Sequence, residues 1–232
     1  MNIKIAIGHA AWAGETRREN YKRLVQELKP DYVHVSEAQE HATVWARDLW
    51  TEASKDDRNA TVILNDDVEV CPDFRQVLWA MTLNDEGSGV GAHLGLHTTF
   101  PELETFPNLP SWIRSYWYTG PAMCLTPLWA RHLLRFWDSH PELHDANEDM
   151  VGIYAAYEAR KPYYHPIPSP VKHRTDIRST LGYDGHAHRL TLCPWDDLRF
   201  AGLDLTDPET WRPPRLEVPW MRDATLRILR KC

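Results

Sequence analysis

Asn65, Asp66 and Asp67 follow directly on the apolar, β-branched run Thr61-Val62-Ile63-Leu64. A run of this kind that ends in turn-forming polar residues reads as a buried strand stopping at two carboxylates. At the carboxyl edge of a parallel α/β sheet, where ligands settle, adjacent acids offer hard oxygen ligands to Mg2+ or Mn2+, and such an ion neutralises a diphosphate. The same residues also suit a loop with an Asx turn, leading to a helix whose first turn holds Pro72 and Asp73. Taken by themselves they leave both readings open.

The flanking elements favour the ligand edge. Ile3 to Ile7 is an apolar strand, and Gly8-His9-Ala10 turns out of it. Tyr21, Leu24, Val25 and Leu28 then recur at helical spacing until Pro30, and Asp31 to Val35 forms a second strand ending in Ser36-Glu37. This β-α-β opening predicts a right-handed crossover and a parallel sheet. His9, Trp12, Arg17 and Glu37 fall where the strands deliver the chain to that edge and are candidates to contact a nucleotide or its phosphates, although a turn and, for Arg17, a solvated helix face fit them as well. The sequence has neither Gly-x-Gly-x-x-Gly nor a Walker lysine at this point, which disfavours dinucleotide and P-loop sites. A second helix is expected from His41 to about Ser54, and a third through Phe74, Val77, Leu78 and Met81. Val90 to Leu96 is expected as a fourth strand, followed by a proline-rich connection from Pro101 to Pro110.

With 232 residues, 43% of them hydrophobic, the chain can bury the core of one α/β domain with an appendage. The four cysteines lack any C-x-x-C spacing, so neither a zinc knuckle nor a disulfide framework is indicated. No stretch has the length of a signal peptide or a membrane span, which points to a cytoplasmic protein. The net charge of −7 argues against broad non-specific nucleic-acid binding while leaving room for a local basic groove. Eleven tryptophans are many for this length and suit platforms for sugars or bases as well as core.

Asn65-Asp66-Asp67 followed by Cys71-Pro72-Asp73-Phe74 resembles the acidic D-x-D-type motif of GT-A glycosyltransferases, with Asn65 standing where the first acid would be. Downstream, Tyr118 to Thr126 with Gly120 is similar to the glycine-containing strand before the acceptor-side helix of that family. Asn147-Glu148-Asp149-Met150 is similar to its acidic helix start, and Tyr163 to Arg174 to its late strand, whose histidine joins the metal in many members. The resemblance covers residues 1–175. It implies a GT-A, Rossmann-like three-layer α/β sandwich with a mostly parallel central sheet, with residues 176–232 as a lid or tail packed on the same domain.

On that resemblance, Asp67 and His173 are expected to hold Mn2+ or Mg2+, and Asp66 to bind the ribose or a metal-bound water. Lys172 and Arg174 are expected to contact the donor's phosphates. Asp149 is the expected general base, with Glu148 as second choice, although acids at a helix start also serve as caps. The implied activity is hexosyl transfer from a nucleotide sugar, a UDP-sugar above all, with inversion, to a protein, a modified DNA base or a glycan. Two other classes use the same residues: a nucleotide- or sugar-binding module without turnover, and a nucleotidyltransferase or phosphohydrolase. In the tail, Leu181 to His188 reads as a glycine-rich lid, with His186 and His188 as a weak metal pair.

Overall fold

The computed structural model describes residues 3–39, 42–83, 93–96, 111–117, 120–145, 147–178, 180, 191, 194–212 and 215–217. In chain order the elements are β1 (Ile3–Ala10), α1 (Glu15–Leu28), β2 (Tyr32–Ser36), α2 (Ala42–Ser54), β3 (Ala60–Asn65), β4 (Val68–Val70) and α3 (Phe74–Leu83). Then follow β5 (His93–Gly95), β6 (Ser111–Ser115), β7 (Ala122–Leu125), α4 (Pro127–Ser139), α5 (Glu148–Glu158), β8 (Tyr163–Ile167), β9 (Val171–His173) and β10 (Arg215–Glu217). Eight strands form one sheet in the order β10-β6-β8-β5-β7-β3-β1-β2, and four of its seven neighbour pairs are parallel. β4 and β9 pair antiparallel as a separate ribbon.

The period-two alternation of the central strands divides the interior into two layers of side chains. Ile5, Ile7, Val62, Leu64 and Cys124 face one way, onto Leu24 and Leu28 of α1 and Val77 and Met81 of α3. Ala6, Ile63, Met123 and Leu125 face the other way, onto Leu49 of α2, Leu133 of α4 and Val151 of α5. Helices therefore cover both faces, giving the three-layer α/β sandwich expected from the sequence. Each fully buried aliphatic side chain contributes roughly 1.5–3 kcal/mol against its exposed state, so the two layers hold the sheet's strand ends rigidly in place.

β2 lies on one side of β1 and β3 on the other, both parallel to it. The strand order thus reverses about β1, and an open α/β sheet leaves a crevice at the carboxyl ends beside such a reversal. Local chemistry sets where the helices begin and end. Gly14, at φ 107, leads into α1, and Lys29 closes it in the left-handed region at φ 46. Thr126 accepts a hydrogen bond from Trp129 N at 3.3 Å, with Pro127 in the first turn of α4.

The structure corrects three readings of the sequence. Pro72 and Asp73 lie before α3 and outside its first turn; Asp73 sits at φ 53, and its carbonyl accepts from Gln76 N and Val77 N. Val68–Val70 is the strand β4 where a loop was expected. The single late strand over Tyr163 to Arg174 is two strands, because Pro168 and Pro170 have no N–H to continue a ladder, and β9 pairs with β4 away from the main sheet. The turn at Asn84 to Gly89, the Pro101 to Pro110 connection and the Leu181 to His188 segment, with its histidine pair, lie outside the described residues.

Candidate active site

Three groups converge on Asp66 from the first strand and helix. Its Oδ2 accepts from His9 Nδ1 at 2.7 Å and from Ala10 N at 2.9 Å, and its Oδ1 accepts from Arg17 Nη1. Arg17 Nη2 donates to Asp67 Oδ2 at 2.8 Å and to the Arg178 carbonyl at 2.9 Å. His173 Nε2 lies 3.1 Å from the same Asp67 oxygen. Arg17 is only 3% exposed, where its sequence context also fitted a solvated helix face. Burial works against its charge, but Asp67 and Asp66 together outweigh that effect and hold the guanidinium more firmly protonated than usual.

Both oxygens of Asp66 are engaged inside the protein, so the structure gives this residue an anchoring place and no free oxygen for a ribose. Asp67 stands differently, between Arg17 on one side and His173 on the other. Among the described residues, no group of three or more His, Cys, Asp or Glu is arranged to hold a metal ion. Asp67 Oδ2 and His173 Nε2 are nonetheless spaced as two neighbouring ligands of one ion are, and a donor set of one carboxylate and one imidazole suits Mn2+. Mg2+ and Mn2+ commonly complete their shells with water and substrate phosphate oxygens, so two protein ligands fit such an ion.

A buried asparagine fixes the acidic loop from beneath. Asn20 Nδ2 donates to the carbonyls of Asp66 and Val68 at 2.8 and 2.9 Å, and its Oδ1 accepts from Arg174 Nη1 at 3.0 Å. Arg17, Asn20, Leu24 and Leu28 are the buried residues of α1. Their helical spacing from Leu24 and Leu28 was the signal in the sequence that marks Arg17 and Asn20 as inward-facing.

The second acidic pair opens α5. Gly120 N donates to Asp149 Oδ1 at 2.7 Å, and a Cβ at Gly120 would lie 2.7 Å from both that oxygen and Glu148 Oε1. The close approach of the two acids therefore requires glycine at position 120. Glu148 is 7% exposed, and among the described residues its buried Oε2 finds no hydrogen-bond partner. Burial first, then the charges of Asp149 and Asp67, push the Glu148 carboxyl well above the ordinary range. Burial also raises Asp149, opposed by the Gly120 N–H and by His173. The four residues Asp67, His173, Glu148 and Asp149 are thus electrostatically joined across the sheet edge.

A pocket beside Asp66 and Asp67 is lined by Gly8, His9, Trp12, Arg17, His34, Ser36, Trp45 and Asn65. Its floor needs glycine at position 8, because a Cβ there would come within 2.4 Å of the Trp45 ring. His34, Ser36 and Trp45 were not picked out as site residues from the sequence, since the spacing of Trp45 on α2 matched plain core. Of the expected donor contacts, His9, Trp12 and Arg17 line this pocket, whereas Glu37 is exposed and outside its lining. Lys172 and Arg174 line a separate groove with His173.

No family model matches the chain, and no curated protein matches it. Among solved structures it is similar to one titled as the crystal structure of a glycosyltransferase involved in the glycosylation of the major capsid of PBCV-1. The identity is 16% and the TM-score 0.40, over 78% of this chain and 96% of that chain. A likeness that loose leaves function to the chemistry of the site itself.

Proposed function

We propose that this chain is a glycosyltransferase that takes a nucleotide sugar, a UDP-sugar, and transfers its sugar with inversion of the anomeric carbon. The observation that carries this reading is the meeting of two unlike acidic pairs at one sheet edge. Asp66 and Asp67 are bound by a guanidinium and two imidazole rings, while Glu148 and Asp149 have raised carboxyls, with the Gly120 N–H donating to Asp149. The first suits an anionic leaving group, the second a proton transfer.

The donor's nucleoside would lie in the pocket of His9, Trp12, Ser36, Trp45 and Asn65, with its diphosphate toward Asp67 and His173. Mn2+ or Mg2+ held by Asp67 and His173 would supply positive charge to the departing diphosphate. Arg17 keeps Asp66 and Asp67 in place and adds a fixed positive charge beneath them. Asp149 takes the proton of the acceptor hydroxyl as its oxygen attacks the anomeric carbon. The bond from that carbon to the phosphate oxygen breaks, and its electron pair leaves with the nucleoside diphosphate. Glu148, more strongly raised than Asp149, remains protonated, which spares the leaving group a further negative charge nearby.

A panel of nucleotide sugars, assayed for released nucleoside diphosphate, tests the reading, with UDP the expected product. Release of nucleoside monophosphate or pyrophosphate would support a nucleotidyltransferase or phosphohydrolase in its place. Asp149→Asn is expected to lose roughly 100-fold or more in transfer rate, the scale of a general base, while binding donor almost normally. NMR of the product decides inversion, and a retained configuration contradicts it.

A further inference from the structure

We propose that the groove beside His173 is a second phosphate site, which holds a phosphate carried by the acceptor. It is lined by Arg23, Glu69, Lys172, His173, Arg174 and Asp176, among others, and shares no residue with the pocket of His9 and Asn65. The two cavities adjoin at Asp67, whose Oδ2 lies 3.1 Å from His173 Nε2 and whose carbonyl accepts from Arg174 N at 2.8 Å. A ligand in the groove therefore reaches Asp67 and His173 along residues that do not line the donor pocket. A route apart from the donor's is open to the second substrate, and this assignment of the phosphate to an acceptor rests on the glycosyltransferase reading.

Three cations on a chain of net charge −7 converge here from α1 and β9. Each pairs with a carboxylate that solvent reaches, while Arg23 and Arg174 also donate to Asn20 Oδ1 and so keep their place at the groove wall. Lys172 Nζ lies 2.5 Å from Asp196 and 3.7 Å from Glu69, Arg23 Nη1 2.9 Å from Glu27, and Arg174 pairs with Asp176. The side chains of Asp196, Glu69, Glu27 and Asp176 are all 40–59% exposed. Exposed pairs of this kind are weak and exchange readily. A phosphate offers several strong acceptor oxygens and more charge than one carboxylate, so it would replace these partners while they turn to water. Lys172 also lies 4.6 Å from the centroid of the Trp195 ring, which keeps its ammonium on the groove wall.

The test is a titration of the full-length protein with inorganic phosphate, followed by 31P NMR with UDP held at saturation. Wild type is expected to bind phosphate together with UDP, and Lys172→Gln to weaken it by roughly tenfold, the loss of one charge-assisted hydrogen bond. UDP affinity should stay within about twofold in this variant, and Lys172→Arg should retain phosphate binding. Competition between phosphate and UDP would assign the groove to the donor's diphosphate and overturn the proposal. Absence of phosphate binding in wild type, or unchanged binding in folded Lys172→Gln, would overturn it as well. Because UDP binding is measured in the same samples, failure of the groove is distinguishable from failure of the donor site.

Discussion

Glu148 illustrates how a single residue is set against stability for chemistry. A buried carboxyl beside Asp149 and within the field of Asp67 is disfavoured as a carboxylate, so its titration in the fold lies well above that of the unfolded chain. A group raised in this way gives its full stabilisation below the unfolded value, and that contribution is lost as pH rises through the folded value. The wild-type protein should therefore lose melting temperature between about pH 5 and about pH 9 as Glu148 ionises. Glu148→Gln removes the ionising group at nearly constant shape, so its melting temperature should fall less over the same interval. Parallel melting curves for the two proteins that keep a constant separation would show that Glu148 does not titrate in that window.

At the scale of elements, α1 does more than cover the sheet. It reaches beneath the acidic loop with two buried polar side chains, Arg17 and Asn20, and the loop's position depends on both. Asn20→Ala leaves the carbonyls of Asp66 and Val68 without their shared donor. An unpaired buried polar group costs about 1–3 kcal/mol, so a loss of about 2–4 kcal/mol is expected in urea unfolding. Donor binding should weaken in step, because Asp67 follows Asp66 on the same loop. An Asn20→Ala protein as stable as wild type would mean that the loop is fixed by Arg17 and His9 alone.

Much of this architecture was legible in the chain, because the strands alternate or run apolar and the helices keep one apolar face. Ile3 to Ile7, Thr61 to Leu64 and the helix ending at Pro30 needed only local pattern. β4, β6 and β10 did not announce themselves, being short strands whose pairing depends on partners far away in sequence. The acids were visible by type, but that Asp66 is consumed by Arg17, His9 and Ala10 N is a tertiary fact. For the same reason Lys172 and Arg174 read as donor contacts, though the pairing of β9 with β4 places them along another groove.

For the whole molecule, described residues after β9 are bound into the main core. Trp211 is 2% exposed and belongs to the same cluster as Ile5, Leu64 and Met81, Trp112 Nε1 donates to its carbonyl at 3.0 Å, and β10 extends the sheet beside β6. Trp211→Ala is expected to destabilise by about 3–5 kcal/mol and to do so in one cooperative transition shared with the donor pocket. Two separate transitions would show that the C-terminal residues fold as an independent unit.

Asp67 is the point where the proposed donor diphosphate, the His173 imidazole and the acid pair would meet. Calorimetric titration of UDP-sugar with and without Mn2+, in wild type and in Asp67→Ala, tests that most directly. Wild type should bind the donor more tightly with Mn2+, Asp67→Ala should lose the dependence on Mn2+ while remaining folded, and His173→Ala should lose part of it. An Asp67→Ala protein that keeps the full Mn2+ dependence would contradict the account.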